Sequence, residues 1–160
     1  MKPVILALCL TAGLLPPSRY RHALHYINTH RVQLRLDEKN QVRRSAQFSS
    51  DARVVRFDQY YRGVAVRDGW LDLVLIDHQN IIVSDHRAKL EDIDVTPRIS
   101  RARAIQIASG RQHAGAEEAE LMIVPPGALM WMVKLDSRDV VFIDARSGAT
   151  LHVEPVLKFF

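Results

Sequence analysis

Histidines come first, because imidazole nitrogens at helical spacing can hold a metal. His22 and His25 stand three residues apart and His30 follows. A zinc site on a helix wants a H-E-x-x-H frame or a carboxylate at matching spacing. Neither accompanies the pair, so these residues read as helix-surface histidines. Asp136, Asp139 and Asp144 surround a turn. They lack the alternating oxygens and central glycine of a calcium loop. Ser84, Asp85 and His86 are the residue types of a hydrolytic triad. On a strand, neighbours point to opposite faces, so Ser84 and Asp85 cannot both meet His86. Cys9 is the single cysteine, and it lies in an apolar leader. The chain carries no G-x-G-x-x-G, P-loop or G-x-S-x-G signature. The expectation is a protein that is not an enzyme and takes no metal or cofactor.

Contact chemistry remains. Tyr60, Tyr61, Trp70 and Trp131 are large aromatics on β-type segments. Tyrosine and tryptophan supply rigid contact area at interfaces. Tyr60 and Trp70 are the candidate partner-binding residues of the sheet. Leu157, Phe159 and Phe160 join them, because "EPVLKFF" places large apolar side chains after the last strand.

The chain has 160 residues and a formal net charge of +4, carried mostly by arginine. Arg43-Arg44 is the sole basic doublet apart from scattered cations, so nucleic acid is not an expected partner. "MKPVILALCLTAGLLPPS" places one lysine before an apolar run the length of a signal-peptide core. It is too short to span a bilayer. Residues 1–17 are therefore expected to be a signal peptide. The expected location is secreted, periplasmic or cell envelope, with no stable membrane insertion after cleavage. Removing Lys2 with the leader would also remove Cys9 and leave a net charge of +3.

The elements that position these residues follow from periodicity. Tyr20, Ala23, Leu24 and Ile27 recur at helical spacing over 19–29. Val32, Leu34 and Leu36 alternate with polar residues and predict a half-buried strand. In "VVRFDQYYRGVAVRDGWLDLVLID", Val55, Phe57, Gln59 and Tyr61 share one face; Arg56, Asp58 and Tyr60 share the other. Arg62-Gly63 predicts one turn. "DGW" predicts a second, with Gly69 at positive φ. "WLDLVLI" predicts a central strand and "IIVSDH" another. Ser100 predicts the cap of a second helix over "RARAIQIAS", stopped by Gly110, with Ala104, Ile105 and Ala108 inward. "RQHAGAEEAE" predicts a polar loop. Three or four antiparallel strands follow, with turns at "SRD" and "RSGA". Phe57, Leu73, Leu75, Ile107, Val133 and Phe142 are the predicted core.

Two motif sets carry a resemblance. Phe57, Gln59, Gly63, Val64 and Val66, with the "LDLVLIDHQN" strand and turn, resemble the fungalysin–thermolysin propeptide (FTP) domain. Ala104, Ile107, Ala108, Trp131, Val133, Asp144, Ala145 and Gly148 resemble the pattern of a PepSY domain. The resemblance covers residues 19 to 153. It implies an α+β fold of two helix-plus-antiparallel-meander units, FTP-like then PepSY-like, packed together. The implied boundaries are 18–95 and 96–154, with an apolar tail at 155–160. It further implies a propeptide that acts as intramolecular chaperone and inhibitor of a secreted thermolysin-like zinc metalloprotease. A protease precursor would continue into its zinc domain after Phe160. The expectation is therefore a free-standing propeptide-like module. The alternatives are an envelope module with a non-protease partner, and a truncated precursor. In the family, the segment after the last propeptide strand runs toward the protease cleft, which would give Leu157, Phe159 and Phe160 a pocket.

Overall fold

The computed structural model describes residues 17–46, 51, 53–77, 80–112 and 114–155. The leader, Cys9, Leu157, Phe159 and Phe160 lie outside them. Helix α1 spans Pro17–Thr29. Ala23 and Ile27, four residues apart, are buried against the sheet. Tyr20 stacks on Phe57 with ring centroids 6.1 Å apart. Thr29 Oγ1 donates back to the His25 carbonyl at 3.0 Å, and the His30 N–H takes the Tyr26 carbonyl that the helix end would otherwise leave free.

The strand expected over Val32–Leu36 does not form. Residues 30–35 turn instead, with Leu34 N–H bonded to the His30 carbonyl and Leu36 N–H to the Arg31 carbonyl. Arg35 takes a φ of 52°. The turns return Leu34 and Leu36 to the α1 core and leave Val32 88% exposed. Alternation alone cannot separate such a coil from a strand.

The first strand is β1 (Asn40–Arg44), which pairs with β2 (Val54–Tyr61). Strand β2 buries every second residue: Val55, Phe57, Gln59 and Tyr61. Arg62 and Gly63, at φ 47° and 83°, make the tight turn into β3 (Val64–Leu75). Here "DGW" is not a turn but an irregularity inside one long strand. Asp58 faces Trp70, whereas Tyr60 faces Ala65, so Val66–Gly69 bows out opposite Gln59. The positive φ falls on Asp68, at 55°. Gly69 serves a different need: a Cβ there would run into the Gln59 side chain. Strand β4 (Ile81–Asp85) pairs with Leu71–Leu75.

Helix α2 (Arg101–Gln112) starts where Ser100 Oγ accepts the Arg103 N–H at 3.2 Å. It continues through Gly110 rather than stopping there. Ala104 and Ala108 are fully buried, and their small size lets the helix approach the sheet closely. Ile105 and Ile107 flank that contact and are half-buried. The expected polar loop after α2 is largely strand, because β5 spans Ala116–Val124. Strands β6 (Ala128–Leu135), β7 (Asp139–Asp144) and β8 (Thr150–Pro155) complete an antiparallel run. The peptide bond between Pro125 and Pro126 is cis. Phe57, Leu73, Leu75, Val133 and Phe142 are buried as the sequence predicts, and Ile107 is not fully so.

The expected α+β pair of helix-plus-meander units is corrected by the sheet itself. All the strands belong to one mixed eight-stranded sheet in the order β1-β2-β3-β5-β6-β7-β8, with β4 beside β3. Of the described residues, 45% are strand and 19% helix. Strands β3 and β5 pair in parallel, Ala65 with Met122 and Val66 with Ile123. That join occupies main-chain groups that two closed units would leave as open edges. Val55 and Phe57 pack with α1, while Tyr61, on the same face of β2, packs with α2. Both helices therefore cover one face, over two separate cores. Ile93, Val95 and Ile99 of the connecting segment pack on the α2 core.

Candidate functional site

The face opposite the helices carries the sequence candidates. Strand alternation sends Arg56, Asp58 and Tyr60 of β2 outward, as expected, and register sets Trp70 and Asp72 of β3 beside them. One row across the sheet runs Arg43, Asp58, Trp70; the next runs Arg56, Asp72, Ser84. His86 follows β4 and fixes its place by donating its N–H to the Trp70 carbonyl at 2.9 Å.

Trp70 is the centre of the cluster. Its ring stacks on the His86 imidazole with centroids 4.9 Å apart and planes 28° apart. The Arg56 guanidinium stands 4.7 Å from the ring centroid, within cation–π range. Arg56 is itself fixed by a two-pronged ion pair, Nε to Asp72 Oδ1 at 2.8 Å and a terminal nitrogen to Oδ2 at 2.7 Å. Both side chains are largely shielded, with exposures of 28% and 12%. The bonded Asp72 carboxylate raises the Arg56 pKa above its usual value. The Trp70 indole Nε1 is buried with no hydrogen-bond partner among the described residues. Tyr60 is half-buried, and the Arg43 guanidinium lies 4.2 Å from its ring centroid.

Of the sequence-named partner residues, Tyr60 and Trp70 thus come together on one face, and the three tail residues lie outside the described residues. The sequence weighs His86 only as a triad type and Arg56 only as an outward residue, and it marks none of Arg56, Asp72 or His86 as partner-binding. The signal for Arg56 was present, since alternation put it on the face of Tyr60. The partnership with Asp72 needed the β2–β3 register.

Ser84 and His86 do meet, Oγ to Nε2 at 2.8 Å. Asp85 points the other way, as strand alternation requires. Its carboxylate takes Arg87 Nε at 2.8 Å and a terminal nitrogen at 2.7 Å, and this pairing holds the Asp85 pKa below its usual value. The three residues do not form a relay. His22, His25 and His30 stay on and just after α1; His30 stacks on Tyr26 at 4.0 Å. Asp144 accepts the Arg146 and Ser147 N–H groups as a turn residue, and Asp139 accepts the Ser137 hydroxyl. Among the described residues, no three His, Cys, Asp or Glu side chains gather into a metal-sized cluster.

The residues behind the resemblance have structural duties. Gln59 binds Ala88 through both arms of its amide, at 2.8 Å each. Trp131 Nε1 donates to the Ile99 carbonyl at 2.8 Å. Gly148, at φ 77°, closes the turn that begins at Asp144.

The outer face of the other strands differs. Phe142 is buried beneath the Arg67 guanidinium, which stands 4.5 Å from the ring and pairs with Glu154 at 2.7 Å. The bow in β3 thus carries Arg67 over β7 and β8 and, among the described residues, leaves the Trp70 cluster as the uncovered aromatic part of the face.

No family model matches the chain, and no curated protein matches it. Among solved structures, it is similar to a chain from Clostridium difficile 630 provisionally described as a lipoprotein. The two are 15% identical, the match covers 82% of this chain and 91% of that one, and the TM-score is 0.35. A likeness of that size carries no argument about fold or activity.

Proposed function

We propose that the chain is a non-catalytic binding module of the cell envelope or secreted fraction that docks a partner protein on the Tyr60–Trp70 face. The observation that carries this reading is the fixed aromatic platform: Trp70 is held by Arg56 and His86, and neither helix covers it. Aromatic and arginine side chains that are already in place lose little freedom on binding, which is what interface anchors require. The partner we assign is a secreted thermolysin-like zinc metalloprotease, inhibited or assisted in folding. Support for it is the resemblance of residues 19 to 153 to FTP and PepSY propeptide modules. The leader-like residues 1–17 support the location. No helix among the described residues is long and apolar enough to cross a membrane.

The test measures the zinc-dependent proteolysis and the refolding yield of a thermolysin-like protease secreted by the same organism. Saturable inhibition, or an increased refolding yield, supports the reading when Trp70→Ala weakens it at least about tenfold. A wild-type chain without effect on either quantity removes the protease as partner. An effect untouched by Trp70→Ala and Tyr60→Ala removes this face from the mechanism.

A further inference from the structure

A second surface lies around the edge of the sheet from that face. Strand β1 is the first of the sheet and, among the described residues, pairs with β2 alone. Ser45 N–H bonds the Arg56 carbonyl at 3.1 Å, and Arg62 N–H bonds the Lys39 carbonyl at 2.7 Å. In an antiparallel ladder, alternate residues bond the same neighbour. Lys39, Gln41, Arg43 and Ser45 therefore face β2, and Val42 and Arg44 turn their N–H and C=O groups to the open edge. Among the described residues, no main-chain or side-chain group bonds them there.

A cleft of about 410 Å³ runs beside this edge, between α1 and β1. Leu24, Val42 and Phe57 contribute its apolar lining and Arg31 and Arg44 its charge, while Arg43 borders it with its guanidinium over Tyr60 on the opposite face. No carboxylate lines it, and none of the three arginines has an ion-pair partner among the described residues. Arg44 is held over the Tyr20 ring at 4.6 Å and Arg43 over Tyr60 at 4.2 Å. The two arginines are adjacent on a strand, so they flank the edge on opposite faces.

We propose that the β1 edge captures an extended acidic peptide segment of a partner protein, added as a further strand. The open N–H and C=O groups of Val42 and Arg44 supply the ladder bonds of strand addition. An added strand sends alternate side chains to opposite faces. One set meets Arg31 and Arg44 over the apolar lining, and the other meets Arg43. A lone anion would use the arginines and leave the main-chain edge idle, whereas an extended acidic chain uses both. The proposal does not rest on the Trp70 face, and its test needs no protease.

The experiment uses the full chain and a short fluorescent peptide that alternates glutamate and valine, read by anisotropy. Two companions are a lysine-for-glutamate peptide and an N-methylated form that cannot donate ladder bonds. The expected result is saturable binding that weakens with salt. It falls at least about tenfold in the doubly substituted Arg31→Ala, Arg44→Ala chain and with the N-methylated peptide, and is absent with the lysine peptide. Thermal midpoints of the variants, unchanged within a few degrees, exclude unfolding as the cause. No saturable binding up to about 1 mM overturns the proposal. So does equal binding of the N-methylated peptide, or complete competition by inorganic phosphate or phosphatidylglycerol vesicles with no response to N-methylation. Those outcomes make the arginines a simple anion patch.

Discussion

Gln59 grips Ala88 by both main-chain groups: Nε2 donates to the carbonyl, and Oε1 accepts the N–H, each at 2.8 Å. A buried side chain thereby imitates a neighbouring strand. The grip lies between the α1 and α2 cores and fastens the segment that connects β4 to α2. Gln59→Leu would leave two main-chain groups of Ala88 without their partner, at a cost of about 2–4 kcal/mol. The urea midpoint should fall accordingly at constant m-value. A midpoint within the error of wild type would mean that the grip contributes nothing.

Gly69→Ala acts on the same grip from the other side, since its Cβ would strike Gln59 Oε1 and lie 3.2 Å from Val66 Cγ1. Alanine should cost about as much as Gln59→Leu. The double variant should lose less than the sum, because neighbours that share one contact are not additive. Strict additivity would separate the two residues energetically.

Gly63 has open space around it, so its requirement is conformational: φ is 83°. Gly63→Val should cost about 1–3 kcal/mol and Gly63→Asn clearly less, because asparagine tolerates the left-handed region. Equal denaturation midpoints for the two variants would rule out backbone strain as the cause.

Trp70 combines a contact surface with a buried Nε1 that has no partner among the described residues. Trp70→Phe keeps a ring between Arg56 and His86 and removes that polar atom. It should leave stability within about 1 kcal/mol of wild type or raise it, while it weakens partner docking. A large loss of stability would make Trp70 a core residue first.

Acid should destabilise the protein below pH about 4, and the sign follows from the carboxylates. Side-chain bonds from Arg87 hold Asp85 below its ordinary value of 3.8, and Arg53 holds Asp51 down to about 2. The Ser147 N–H does the same for Asp144. A carboxylate with a depressed folded pKa contributes fully above its unfolded pKa, and the contribution is lost as pH falls through the folded one. Arg87→Gln should therefore flatten part of the decline between pH about 4 and 2. Thermal midpoints measured across that range test this, and an unchanged acid slope in the variant would exclude the Asp85–Arg87 pair as a source.

The sequence by itself determined the two helices, the faces of β2 and the signals set by near neighbours, but not the coil at Val32–Leu36 or the end of α2. The period of two from Val55 to Tyr61 sorted Phe57 and Gln59 inward and Arg56 and Tyr60 outward, because side-chain direction on a strand needs no partner. The Arg62-Gly63 turn and the Ser100 cap were legible for the same reason, being set by residues within one turn of each other. What only the tertiary structure decided was how the strands joined. The parallel contact of Ala65 with Met122 links residues 57 positions apart through main-chain groups common to every residue, so no side-chain pattern announces it. The "DGW" stretch was misread because Gly69 is small for the sake of Gln59, a long-range steric demand, while Asp68 carries the positive φ. The Arg56–Asp72 pair and the His86 stack on Trp70 likewise exist only in register. A shift of one residue would turn those side chains to opposite faces and leave no platform at all.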